Sequence, residues 1–274
     1  AQRRLSESTG DLRKSFERLS SGLRIVRARD DAAGLAIADT LRADSRIASV
    51  AIRNANDGIS LISIADGALD QMSSVLTRMA ELAEQSANGT LGTVQRSALN
   101  GEFMSLASEI ERIATTTTFN NLMLLSGGGT VSLQVGFDSS TNSQITYNGV
   151  EGTLASLNLA NAGSSQLLYS LTAGGSAEDQ QAASLSALDA VKAAISSLTT
   201  ARGTLGAAES RLSVAITNLS VSRENFLSAE SQIRDVDVAQ EAANLTRLNI
   251  LQQAGAAVLA QANQQPALAL TLLG

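Results

Sequence analysis

Residues 188–233 read LDAVKAAISSLTTARGTLGAAESRLSVAITNLSVSRENFLSAESQI. Within them Leu188, Val191, Ile195, Leu198, Leu205, Leu212, Ile216, Leu219, Phe226 and Ile233 fit one register of alternating threes and fours. An α-helix turns once in about 3.6 residues, so this register lies along one helix face. Arg202, Glu209, Arg223 and Glu230 hold the same register where it turns polar. The stripe covers 46 residues, roughly 70 Å at about 1.5 Å per residue. Gly203 and Gly206 are the positions where it could bend, and Asp235 and Asp237 mark its end.

Working outward, the same rhythm recurs at both ends of the chain. Leu5, Leu12, Leu19 and Val26 repeat every seven residues, with Phe16 and Leu23 interleaved. That is the seam of a helix packed along another helix, and it predicts a helix reaching Arg29-Asp30-Asp31, ahead of Gly34. A second helix is expected from Asn56-Asp57, with Asp57 as its N-cap and Leu61, Ala65, Ala68, Met72, Val75, Met79 and Leu82 as its stripe. Leu69, Leu76 and Ala83 widen that stripe, so it faces more than one neighbour. Asn88-Gly89 reads as its stop. A third helix carries Leu99, Phe103, Leu106, Ile110 and Ile113, and the β-branched run 115–118 ends it. The final helix uses Leu248, Leu251, Gly255 and Val258, with Pro266 ending it or lying just beyond.

The centre changes period. Val131, Leu133, Val135 and Phe137 alternate, then turn residues 138–142 intervene, then Ile145 and Tyr147 alternate again before Asn148-Gly149. This predicts a β-hairpin. Residues 150–177, rich in Gly, Ser and Asn, read as loop. The expected fold is mainly α: an elongated, rod-like helical bundle and coiled coil with a small β-hairpin region, its N- and C-terminal helices paired at one end.

Composition removes several function classes. The chain has 274 residues, one proline, 3% aromatics, and neither cysteine nor histidine. Thiolate nucleophiles, disulfides, His–metal sites and histidine general bases are therefore excluded. Residues 1–57 hold 11 basic and 8 acidic side chains, the remainder 9 and 18, and no basic residue lies between Arg112 and Lys192. A central nucleic-acid surface is not expected. No apolar run approaches the ~18–20 residues of a membrane span, and the polar start Ala1-Gln2-Arg3-Arg4 is not a signal peptide.

Polar pairs read as structural. Asp30-Asp31 and Asp235 with Asp237 suit helix caps and joints better than a cation site. Glu109 and Glu111, two residues apart on a helix, face different ways and do not make a glycosidase pair. Gly127-Gly128-Gly129 lacks the following Lys-Ser/Thr of a phosphate loop and reads as a joint before the hairpin. No catalytic, cofactor-binding or metal-binding residue is expected.

Two blocks near the N-terminus carry a family resemblance: Leu19-Ser20-Ser21-Gly22-Leu23-Arg24-Ile25 with Asp30-Asp31-Ala32-Ala33-Gly34-Leu35-Ala36-Ile37-Ala38, and Asn56-Asp57-Gly58-Ile59-Ser60-Leu61. At the other end stand Ile216-Thr217-Asn218-Leu219, Ile250-Leu251-Gln252-Gln253-Ala254-Gly255 and Leu259-Ala260-Gln261-Ala262-Asn263-Gln264-Gln265-Pro266. Together they resemble bacterial flagellin, collinearly, over roughly residues 1–125 and 180–274. The resemblance implies a secreted, extracellular subunit that self-assembles into the flagellar filament. A hook–filament junction protein and a cell-surface adhesin or polysaccharide-binding module are the alternatives. It further implies an inner coiled-coil domain of residues 1–40 and 235–274, a central bundle of 41–130 and 178–234, and an insertion at 131–177. The subunit-assembly seam would be Leu5, Leu12, Phe16, Leu19, Leu23, Val26, Leu248, Leu251 and Val258. Implied partners are further copies of the chain, flagellar junction and cap proteins, and an export chaperone at the C-terminal helix, with no cofactor, nucleic acid or membrane insertion. Residues 78–89 resemble the stretch that the vertebrate Toll-like receptor for flagellin recognises, making Arg78, Leu82, Gln85 and Glu102 the expected receptor contacts. Flagellins usually carry a further short segment ahead of Ala1-Gln2, so a chain beginning there is expected to export and polymerise poorly.

Overall fold

The computed structural model describes residues 2–127 and 129–273, with side chains through residue 262. Five helices dominate: α1 (Gln2–Ser21), α2 (Ala32–Ser86), α3 (Thr93–Thr116), α4 (Ala177–Arg234) and α5 (Val238–Leu273). Between α3 and α4 lie two antiparallel strand pairs, β1 (Thr118–Phe119) with β2 (Leu122–Met123), and β3 (Thr130–Gln134) with β4 (Gln144–Asn148). The mainly α class with a small β region is the one expected. Two compact units divide the chain: Ala1–Ile47 with Val221–Gly274, and Ala48–Ser220.

In the second unit, segments of α2 and α4 pack with α3 around one core. Leu69, Met72, Leu76 and Met79 of α2, Phe103 and Ile110 of α3, and Val191, Leu205 and Leu212 of α4 are all buried there. The α4 stripe forms one unbroken helix through Gly203 and Gly206. Its start is a capping box: the Asp179 amide donates to Ser176 Oγ (3.1 Å), and the Ser176 amide donates back to the Asp179 carboxylate (3.1 Å). The β3–β4 register sets Val131 opposite Tyr147 and Leu133 opposite Ile145. The loop 150–176 closes this core with Leu154, Leu157, Leu159 and Leu171, all buried.

Four expectations need correction, and one element is added. The first helix stops at Ser21, so Leu23 and Val26 are not on it. Gly22 has φ 71°, the left-handed conformation that ends helices at little steric cost to glycine. The second helix starts at Ala32, not at Asn56-Asp57. Its cap is Asp31, whose Oδ1 accepts the Gly34 N–H at 2.8 Å. Within it Asn56 and Ser60 donate their side chains one turn back, to the carbonyls of Ile52 (2.8 Å) and Asn56 (3.0 Å), which the helix accommodates without breaking. The expected first strand ends at Gln134, leaving Val135 and Phe137 beyond it. There Gly136 lies against Ser143 with no room for a Cβ, and the chain turns. The β1–β2 hairpin is an addition to the expected elements; Asn120 (φ 47°) and Asn121 (φ 63°) make its two-residue turn. Finally, α5 continues through Pro266 to Leu273. Proline removes one helical hydrogen bond, but the good helix formers Leu259-Ala260-Gln261-Ala262 before it and Ala267-Leu268-Ala269-Leu270 after it favour helix on both sides of the gap.

Candidate assembly site

The first unit is built on α1 and α5, which run antiparallel and pack together, as expected of the terminal helices. The Gln252 side-chain amide reaches Thr9 Oγ1 (3.5 Å), and the Ser15 hydroxyl donates to Glu241 (2.5 Å). Where α1 ends, the chain crosses the end of α4. The Arg24 amide donates to the Arg234 carbonyl (2.6 Å), and the Val236 amide donates to the Gly22 carbonyl (3.0 Å). The Arg24 guanidinium also donates to the Ile233 carbonyl from Nη2 (2.6 Å), satisfying an acceptor at the C-terminus of α4. Asp237 caps α5, accepting the amides of Ala239 (3.0 Å) and Gln240 (3.1 Å). The two linkers of this joint are thus tied to one another backbone to backbone.

Ion pairs brace it. Lys14 Nζ is 3.2 Å from Asp30, and Arg27 holds Glu17 at 2.5 Å. The Lys14 ammonium, hydrogen-bonded to Asp30, keeps that carboxyl below its ordinary value. Arg42 pairs with Glu230 (2.8 Å) and Arg234 with Asp39 (3.4 Å). Asp30, Asp31 and Asp237 therefore serve joints and caps. Asp235 accepts the Ser231 hydroxyl (2.6 Å).

Between α1 and α5 opens a groove of about 480 Å³, lined by Leu5, Leu248, Leu251, Ala254, Gly255 and Val258 and edged by Arg4, Glu7 and Asp11. Gly255 permits the close approach, since a Cβ there would stand 3.3 Å from the Leu5 methyl. Of the nine seam positions read from the sequence, four line this groove: Leu5, Leu248, Leu251 and Val258. Leu12 and Leu19 are half-buried on α1, and Leu23 and Val26 half-buried in the joint. Phe16 is 58% exposed, Leu251 54% and Val258 61%. In the chain by itself these three seam residues are exposed and the other six are half-buried. Sequence periodicity missed Ser15 and Glu241, which are polar residues inside an apolar rhythm.

In the second unit, Arg78 Nε donates to Glu102 (2.9 Å) and Nη1 to Glu81 (3.0 Å). The Glu102 carboxylate raises the Arg78 pKa above its ordinary value, with Glu81 adding to it. Gln85 is exposed, whereas Leu82 is buried in the core. The two carboxylates at 109 and 111 diverge: Glu109 engages Arg112, and Glu111 accepts the Leu154 amide (2.9 Å). Among the described residues no three Asp or Glu gather where a metal ion could sit, and no helix is long and apolar enough to cross a membrane.

Comparison with known proteins agrees with that geometry. The family pattern described as the bacterial flagellin N-terminal helical region matches residues 1–130, and that of the bacterial flagellin C-terminal helical region matches residues 188–273. Flagellin of Halalkalibacterium halodurans is 46% identical over 274 residues, spanning 100% of this chain and 96% of its own. Flagellin of Bacillus subtilis is 39% identical over 293 aligned residues, spanning 98% of this chain and 95% of its own. The crystal structure of Bacillus cereus flagellin superposes with a TM-score of 0.50 at 28% identity, covering 61% of this chain and 88% of that one.

Proposed function

This chain belongs to the bacterial flagellin family, and from that premise we propose that the half-exposed seam between α1 and α5 is where its copies join. The protein is a structural subunit of the bacterial flagellar filament, polymerises with itself, and resides outside the cell in the flagellum. The junction-protein and adhesin readings are not favoured, because relatives named flagellin align over 96% and 95% of their own lengths.

The observation that carries the assembly reading is the exposure of Leu251 (54%) and Val258 (61%) beside a groove that Leu5 and Leu248 already line. Water leaves that surface when a second copy covers it, releasing about 25 cal/mol per Å² of apolar area. In this reading residues 1–40 and 235–274 form the inner coiled-coil domain. Residues 41–130 and 178–234 form the central helical bundle domain, and 131–177 the β-hairpin and loop insertion. No nucleotide or cofactor enters the process, and the chain turns over no substrate. Junction and cap proteins meet the same terminal helices at the filament's ends, and an export chaperone covers the apolar face of α5. Arg78, Gln85 and Glu102 are the surface offered to the vertebrate Toll-like receptor for flagellin; buried Leu82 supports their helix from beneath. Electron microscopy of a strain lacking the gene should show cells without filaments. Normal filaments and swimming in that strain would assign the role to another chain.

A further inference from the structure

We propose that Glu241 is the positioning residue that sets the axial register of α5 against α1. Among the described residues, the buried members of these two helices are polar and meet each other. Ser15, 3% exposed, is the one buried residue of α1, and Glu241 is 8% exposed. The Ser15 hydroxyl donates to Glu241 Oε1 at 2.5 Å, and Arg18 Nη1 lies 4.0 Å from Oε2. Glu241 also stands in the first turn of α5, where the helix dipole favours a negative charge.

The apolar residues around this contact do not choose a register by themselves. Leu5, Leu12 and Leu19 repeat every seven residues, so a slip of one heptad presents leucine where leucine stood before. The polar set is not degenerate in this way. Slipped one heptad toward the start of α1, Glu241 meets Ser8 as a hydroxyl but faces Asp11 where Arg18 stood, a like charge. Slipped the other way, it meets Gly22 and Ile25, with neither hydroxyl nor cation, beyond the last residue of α1. Only the observed register supplies both partners. A buried carboxylate left without them is strongly disfavoured, and a single buried polar residue is the best-attested means by which paired helices specify alignment. The consequence for the filament rests on the assembly reading above: every copy must present Leu251 and Val258 at one height along α1, or successive copies do not fit.

The chain has no cysteine, so paired cysteines report register without background. Thr9→Cys with Gln252→Cys reads the observed alignment, and Thr9→Cys with Leu245→Cys reads the heptad slip. One heptad is about 10 Å of helix, beyond the roughly 7 Å between Cα atoms that a disulfide spans. Intramolecular cross-linking of the full chain, assembled and soluble, should favour the first pair at least tenfold. Glu241→Gln, which still accepts from Ser15, should keep most of that bias, and Glu241→Leu should bring the two yields within twofold. Should Glu241→Leu unpair the helices, the double variant S15A/E241L removes both members of the Ser15–Glu241 hydrogen bond and reads the same ratio. An unchanged tenfold bias in Glu241→Leu and in the double variant overturns the proposal. If no variant, nor the parent, polymerises, the assembly reading fails instead, while the cross-linking ratio in the soluble chain still decides the register.

Discussion

Arg96 is buried at 1% exposure, and its guanidinium donates to three backbone carbonyls. Nε donates to Ser86 (2.8 Å), Nη2 to Asn88 (3.1 Å) and Nη1 to Ala177 (2.5 Å). One guanidinium thus gathers the end of α2, the turn after it and the first residue of α4. Its charge is matched by the partial negative charge at the α2 C-terminus. Arg96→Met would leave buried acceptors unpaired and should destabilise by about 3 kcal/mol. Arg96→Lys should recover little, since an ammonium lacks the planar fork that reaches three carbonyls. Urea unfolding of the two variants checks both statements. Nothing in the sequence around 96 announces this role: an arginine in the first turn of α3 reads as surface, and only the fold brings its acceptors together. Asp30 supplies a pH test at the same scale. Its folded pKa lies below the ordinary 3.8, chiefly through the hydrogen bond from Lys14. A depressed carboxyl stabilises fully above its unfolded value, and that contribution disappears as pH falls through the folded one. The joint should therefore loosen below about pH 4, and Lys14→Met should remove that part of the acid dependence, as followed by amide exchange at residues 22–31.

At the scale of elements, two glycines of α2 carry opposite predictions. A Cβ on Gly58 would overlap the Leu133 side chain of β3 and stand 3.2 Å from Leu212 of α4, whereas Gly67 has nothing within 4 Å. Gly67→Ala should stabilise by about 0.5–1 kcal/mol, the helix-propensity gain. Gly58→Ala should destabilise despite the same gain, because the hairpin must back away from the helix. Thermal unfolding compares the pair directly. This position also explains a misreading. Asn56-Asp57-Gly58 has the local chemistry of a helix start, yet the glycine serves the approach of another element in mid-helix. Periodic stretches such as 188–233 are legible because burial and helix period impose the same pattern. The ends are less so: Gly22 stops α1 by one dihedral angle, and Asn120-Asn121 makes a hairpin too short to show alternation. The seam is half legible. Leucines at 5, 248 and 251 announce themselves by spacing, but the exposure of Phe16 and the burial of Ser15 depend on which side α5 takes.

For the whole molecule, the two units differ in what they bury. The second holds a continuous core from Ala51 to Leu219, while α1 buries only Ser15. A helix pair that keeps its leucines half in water gains little from burial and is marginal alone. Amide exchange should accordingly be slow across 60–112 and 188–230 and fast toward both chain ends in the unassembled protein. Polymerisation should slow the ends selectively, because that is where the uncovered apolar surface lies. Leu251→Asp separates the two units' roles. Leu251 is 54% exposed in the chain, so a charge there meets water and should shift the second unit's unfolding by no more than about 0.5 kcal/mol. In the filament the same carboxylate would sit in a covered apolar seam, where an unpaired charge costs several kcal/mol. That penalty recurs at each subunit added, so the critical concentration should rise by about a thousandfold for every 4 kcal/mol. Seeded polymerisation followed by sedimentation should leave the variant in the supernatant, while circular dichroism shows the bundle melting as in the parent chain. Filaments of normal length from Leu251→Asp would mean that copies join elsewhere than the α1–α5 seam, and the exposed apolar residues of the second unit would then be the surface to test.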